Sequence, residues 1–146
     1  MARIEEGVDI GRPLDEVFAY TLEAHNWPLW QTFILQAEQT SDGPVRVGAT
    51  FKGVARMLGR SMDWTATATE YELNESWGKT IRSGSLVIKE RLMCSSAVDG
   101  THFTVAYEMD AGGLMKLLSP IMARSMRGET LKSLGNLKDL LEAQGH

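Results

Sequence analysis

Hydrophobic and polar positions alternate along most of this chain, and changes in their period divide it into elements. Ile4, Val8 and Ile10 hold the even positions of residues 3–10, a period of two that predicts a half-buried strand. Gly11-Arg12-Pro13 interrupts it. Leu14, Val17, Phe18 and Thr21 then follow helical spacing, with proline suited to the first turn and Asp15 and Glu16 to the positive end of the helix dipole. His25-Asn26-Trp27-Pro28 breaks this helix, and Pro28 starts a second short turn carrying Leu29 and Trp30.

From about residue 33 to 110 the period returns to two. Runs at 34–41, 49–58, 61–73, 77–83, 86–98 and 101–110 are rich in Thr, Val, Ile and aromatic residues, which suit a pleated, half-buried surface. Between them stand Ser41-Asp42-Gly43-Pro44, Leu58-Gly59-Arg60, Asn74-Glu75-Ser76, Ser83-Gly84-Ser85 and Asp99-Gly100. Connections this short predict antiparallel neighbours rather than parallel βαβ units.

Gly112-Gly113 opens a helical pattern that runs to about Ala143, with Gly145 as its stop. Its apolar stripe is Leu114, Leu117, Leu118, Ile121, Met122, Ser125 and Met126, continued by Leu134, Leu137, Leu140 and Leu141. Pro120 is expected to kink this helix or end a first short segment. Gly128 and Gly135 each weaken a helix by about 1 kcal/mol relative to alanine, which suggests close packing beneath them. The whole reads as an α+β fold. Seven antiparallel strands curl around one long C-terminal helix, with two short helices after the first strand.

Composition narrows the function. The 146 residues form one expected domain, 1–146, with 43% hydrophobic and 23% charged residues, globular values. A net charge of −4 gives no basic footprint for nucleic acid. The imbalance sits in residues 1–42, which hold eight acids and two bases. Cys94, alone, can form no disulfide within the chain. The N-terminus turns acidic at once and no run is apolar enough to span a membrane, so the expectation is a cytoplasmic protein without integral membrane association. A homodimer is compatible with the sequence.

That order of elements resembles the START-like, or SRPBCC, superfamily, whose fold is the helix-grip. The matching patterns are Ile10-Gly11-Arg12-Pro13-Leu14-Asp15-Glu16-Val17-Phe18, Trp30 after the second helix, Val47-Gly48-Ala49-Thr50-Phe51, and Leu137-Lys138-Asp139-Leu140-Leu141-Glu142. They cover essentially the whole chain and look closest to the polyketide cyclase/dehydrase-like branch. The resemblance implies a hydrophobic cavity between sheet and long helix that takes lipids, polyketides or other apolar molecules. The matching motifs are structural, so they identify the fold better than the chemistry.

Strand parity tests that implication from the residues. Counting by twos puts Phe51, Gly53, Ala55 and Met57 inward, then Met62, Trp64, Ala66, Ala68 and Glu70. The same count gives Leu86, Ile88, Glu90, Leu92 and Cys94, then Phe103, Val105, Tyr107 and Met109. Ile81 points in and Arg82 out, unless a bulge reverses them. Small residues among large ones leave volume for either a helix or a ligand. Met62, Met109, Met115, Met122 and Met126 fall on or near the inner surface, where methionine reads first as core filler and second as a compliant ligand wall.

Glu70 and Glu90 break the apolar parity, and an unpaired carboxylate indoors must be paired, hydrated, protonated or functional. Strand ends or a register slip would instead put them in water. Tyr107 shares the inner parity and can donate to a ligand oxygen. Trp27 and Trp30 read as core or as a lid, Trp30 being the better lid candidate on the family pattern. Cys94 on an apolar face reads as a small hydrophobe. His25, His102 and His146 have no metal-ligand spacing, so no metal or cofactor is expected. Nucleophile-elbow and phosphate-loop motifs are missing too.

Two functions follow. The first is binding of an apolar, lipid- or polyketide-like molecule, with Trp30, Phe51, Trp64, Glu70, Glu90, Tyr107, Met122 and Met126 as candidate ligand-binding residues. The second is a cyclase or dehydratase in which Glu90 is general base and Tyr107 donates to a developing enolate. Whether the chain is an enzyme stays open at this point. A partner-binding role would require an exposed apolar patch.

Overall fold

The structure, a computed structural model, describes residues 2–57, 59–111 and 119–144. Strand β1 (Ala2–Ile10) leads into α1 (Leu14–Leu22), a single 3-10 turn at Ala24–Asn26, and α2 (Trp27–Trp30). Six strands follow: β2 (Ile34–Gln39), β3 (Thr50–Met57), β4 (Arg60–Glu72), β5 (Ser76–Ser83), β6 (Leu86–Ala97) and β7 (Gly100–Ala111). The described part of the long helix, α3, is Ser119–Ala143. Gly112, Gly113, Leu114, Met115, Leu117, Leu118, Gly145 and His146 lie outside the described residues.

The strands form one sheet in the order β1-β7-β6-β5-β4-β3-β2, every neighbouring pair antiparallel. This is the expected seven-stranded helix-grip arrangement. Tight turns make it so: Gly84 and Ser85 alone separate the paired residues Ser83 and Leu86, and Gly84 takes φ 59° without a Cβ penalty. At the next hairpin Val98 and Asp99 form the loop, and Gly100 already pairs with Ala97. A Cβ on Gly100 would stand 2.1 Å from the Ile10 carbonyl oxygen, so this glycine lets β1 turn into α1 beside β7.

The inner face matches the parity count almost throughout. Phe51, Ala55, Trp64, Ala66, Ala68, Leu86, Ile88, Leu92, Phe103, Val105 and Met109 are all buried, while Arg82 points out. Val17 and Phe18 of α1, Trp27 and Trp30, and Met122, Met126, Leu134, Leu137 and Leu141 of α3 close over them. Each fully buried leucine of that stripe contributes about 1.5–3 kcal/mol. The C-terminal end of α3 is fastened to the β1–α1 junction. Lys138 Nζ donates to the Asp9 carbonyl at 2.8 Å, and Glu142 accepts from the Gly11 N–H at 2.8 Å.

Two expectations change. Gly128 and Gly135 lie on the solvent side of α3 with open space where a Cβ would be, because they fall opposite the stripe of Met122, Met126, Leu134 and Leu137. Nothing packs closely beneath them. The segment leading up to Pro120, where a kink or a short first segment is expected, lies outside the described residues. Glu70 leaves the inner face, because a β-bulge between Ala68 and Glu70 shifts the register of β4 against β5.

Candidate functional site

One row of cross-strand neighbours carries the polar chemistry of the interior. Ala68 of β4 pairs with Lys79 of β5, Lys79 with Glu90 of β6, Glu90 with Tyr107 of β7, and Tyr107 with Ile4 of β1. Side chains on directly opposed residues point to the same face, so lysine, carboxylate and phenol are brought together across three adjacent strands. Lys79 donates to Glu90, their side chains only 3% and 1% exposed. The second Glu90 oxygen accepts from Gln31 Nε2 at 3.5 Å, and the Tyr107 hydroxyl is hydrogen-bonded to Glu90.

Aromatic rings wall this row. Lys79 Nζ lies 4.0 Å from the ring centroid of Trp27 and 4.6 Å from that of Trp77, within the range of cation–π attraction. Trp27 stacks on Trp77 at 5.7 Å and 21° and meets Phe51 at 5.0 Å and Trp64 at 6.3 Å. Its indole N–H donates to the Thr21 carbonyl at 2.8 Å, which ties the ring to the end of α1. The buried indole nitrogens of Trp30, Trp64 and Trp77 have no hydrogen-bond partner among the described residues.

Burial sets the protonation behaviour. Desolvation lowers the Lys79 ammonium from its ordinary 10.5, opposed by the Glu90 charge and its hydrogen bond. Desolvation raises Tyr107 well above 10, and the Glu90 charge and hydrogen bond add to the rise. Burial therefore makes Tyr107 hold its proton more firmly and Lys79 release its own more readily, each shift favouring the neutral form in a low-dielectric setting. Burial also pushes the Cys94 thiol up to about 12, which suits a small hydrophobe and not a nucleophile.

A cavity of about 210 Å³ opens beside this row, between the end of β3, the segment after α2 and helix α3. Phe33, Met57, Met122 and Met126 are its apolar lining, and Thr32, Arg56, Ser125 and Glu129 its polar edge. Phe33 packs edge-on against Tyr107 with ring centroids 6.1 Å apart, so a single ring separates the cavity from the buried row. The Gln31–Phe33 segment is tied to α3. Thr32 N–H donates to Ser133 Oγ at 3.0 Å, and Thr32 Oγ1 donates to the Glu129 carboxylate.

The structure brings together Glu90, Tyr107, Phe51 and Trp64, and sets Met122 and Met126 at the neighbouring cavity. Trp30 is buried against Phe103, ring centroids 6.0 Å apart at 82°, as part of the core. Glu70 does not join them: it lies on the opposite face, ion-paired to Arg91 at 2.7 Å. Sequence reasoning missed Lys79 and Gln31. Lys79 was within reach, since counting back two residues from the inward Ile81 lands on it. Gln31 sits in an aperiodic segment that carries no such signal.

Among the described residues, no group of three or more His, Cys, Asp or Glu could hold a metal ion. No described helix is long and apolar enough to cross a membrane. The profile of a family described as polyketide cyclase/dehydrase and lipid transport matches residues 1–142. Among curated proteins no sequence is close enough to match. A solved protein from Thermus thermophilus superposes with a TM-score of 0.84 at 13% identity, covering 99% of this chain and 100% of its own. A START superfamily protein from Mycobacterium smegmatis gives 0.75 at 13% identity, with 97% and 95% covered. The di-domain ARO/CYC protein BexL of the BE-7585A biosynthetic pathway gives 0.72 at 18% identity, over 97% of this chain and 47% of its own. At these identities the likeness is one of fold.

Proposed function

The chain belongs to the polyketide cyclase/dehydrase and lipid transport family, and from that premise we propose that it binds an apolar small molecule between its sheet and α3. The observation that carries this reading is the cavity lined by Phe33, Met57, Met122 and Met126, one ring away from the buried polar row. Pockets that bind drug-sized ligands are mostly apolar with a few fixed polar groups, and typically measure about 300–1,000 Å³. At about 210 Å³ this one must enlarge on binding, and unbranched methionines give way at low strain. Gln31, Glu90 and Tyr107 would then meet the ligand's polar atom.

The test is native mass spectrometry of the purified protein and organic extraction of whatever travels with it, followed by titration with the apolar dye Nile red. Met126→Trp fills the cavity and should weaken the dye by at least about tenfold, or about 1.4 kcal/mol, with an unchanged circular dichroism spectrum. Equal affinity in the folded variant would sink the proposal.

A second reading, cyclase or dehydratase, is favoured by the direct pairing of Glu90 with Tyr107 on the inner face. Glu90 would take a proton next to a substrate carbonyl and Tyr107 would donate to the oxygen that gains charge. Tyr107→Phe should then slow turnover of a cyclising polyketone by about 100-fold or more while leaving its Kd nearly unchanged. Parallel loss of binding and turnover counts against this assignment.

A further inference from the structure

We propose that Lys79 is a nucleophile for apolar aldehydes or ketones, forming an imine inside the Trp27–Trp77 box with Glu90 as its proton partner. The proposal rests on the reading that the interior admits an apolar ligand, and it concerns a residue which that reading leaves unused. Lys79 stands apart from Lys52, Lys132 and Lys138. Its side chain is 3% exposed, against 61% for Lys52, 72% for Lys132 and 40% for Lys138. Of these only Lys79 has a carboxylate, a phenol and two indole faces around it.

The chemistry follows from that enclosure. Away from water both charges of an ion pair are penalised, so the neutral pair of amine and carboxylic acid lies closer in energy than it does at a surface. The indole faces favour the ammonium, which makes the charged pair the resting state. Glu90 accepts a proton from Lys79, and the freed amine lone pair attacks the carbonyl carbon. A proton passes from nitrogen to oxygen to give the carbinolamine. The proton held by Glu90 then goes to that hydroxyl, the carbon–oxygen bond breaks, and water leaves. The net change joins the ammonium and the carbonyl compound into a protonated imine and a water molecule, with no change of oxidation state. Tyr107, bonded to Glu90, positions the carboxylate for both transfers. Desolvation acts in the same direction on the amine.

Benzaldehyde is the probe, with sodium cyanoborohydride to trap the imine as a benzyl amine at neutral pH, and peptide mapping to locate it. Labelling of Lys79 in the folded protein should be at least about tenfold faster than that of Lys52 or Lys132, because enclosure with a carboxylate proton partner activates the amine. The preference should vanish in urea. Lys79→Arg keeps a cation opposite Glu90 and should abolish the fast label. If that variant does not fold, protection of Lys79 in the natural protein by saturating Nile red serves instead, since both need the same interior. Labelling of Lys79 no faster than that of Lys52 overturns the proposal. Nile red binding without fast labelling leaves the binding reading standing and removes this one; absence of both dye binding and fast labelling removes the two together.

Discussion

Replacing Glu90 by glutamine removes one charge from a pair whose side chains are almost wholly enclosed. Removal of one partner of a buried ion pair typically destabilises by about 3–5 kcal/mol, because the other charge is left without compensation. The carboxamide oxygen still accepts one hydrogen bond, worth about 1 kcal/mol, and the two indole faces still hold Lys79, so the lower end, about 3 kcal/mol, is expected. That is a large part of the 5–15 kcal/mol that holds a typical domain folded. With a urea slope of about 1.5–2 kcal/mol/M the midpoint should fall by about 1.5–2 M, read by fluorescence of Trp27 and Trp77. The deficit should also depend on pH. Glu90 raises Lys79, so without it the ammonium is lowered further below 10.5. In both proteins the unfolded chain then binds more protons than the folded one as pH approaches 10.5, so stability climbs with pH; without Glu90 the climb starts at lower pH, and over that interval the deficit shrinks. It should be smaller at about pH 10 than at about pH 7. A fall in midpoint below about 0.5 M, or a deficit that ignores pH over that range, would refute this account of the pair.

The other predictions concern different parts of the molecule. The double variant Lys79→Met, Glu90→Leu should fall within about 1 kcal/mol of the natural protein or exceed it, since neither charge remains to be desolvated; a urea titration decides. Gly128→Ala and Gly135→Ala, both facing open space on α3, should each stabilise by about 1 kcal/mol, seen as a higher Tm. Gly53→Ala would set a Cβ 1.9 Å from the Gln36 carbonyl oxygen and 2.6 Å from Trp64, so β2 must part from β3 and expression of folded protein should drop sharply. Cys94, with its thiol raised to about 12, should resist iodoacetamide at neutral pH in the folded state and react readily in urea.

Much of this arrangement can be read from the chain because a strand hides one residue in two. Counting from Phe51, Trp64, Leu86 and Phe103 places Glu90 and Tyr107 indoors, and both are there. The same count fails at Glu70, since the bulge after Ala68 adds a residue that leaves no mark in the alternation of apolar and polar types. It also reaches Lys79 through Ile81, yet a lysine beside apolar neighbours reads as a side chain with its stem covered and its charge in water. Only its cross-strand partner, Glu90, explains why it stays inside. Gly128 and Gly135 show the reverse difficulty: a seven-residue spacing fixes that they share a face of α3, but not whether that face is covered.

The Lys79–Glu90 pair is weak ground for stability and strong ground for specificity of function. The β5–β6 register that opposes them would accept two apolar residues, and pairs so replaced elsewhere have lost little or gained. The pair instead holds charge against Trp27 and Trp77, with Gln31 and Tyr107 on the remaining lone pairs. Gln31 belongs to the same segment as Phe33, which lines the cavity and covers Tyr107. A ligand that displaces Phe33 therefore acts on the hydrogen bonds of Glu90 at the same time. If a ligand occupies the cavity as proposed, three consecutive residues, Gln31, Thr32 and Phe33, held to α3 by Ser133 and Glu129, would couple that occupancy to the hydrogen bonds of Glu90. Weakening that tether with Thr32→Val, which removes the hydroxyl bond to Glu129 and keeps the N–H bond to Ser133, should leave the core intact and loosen both, raising exchange of the Tyr107 ring environment by nuclear magnetic resonance and shifting Nile red affinity together. Movement of one without the other would mean that the cavity and the row are independent.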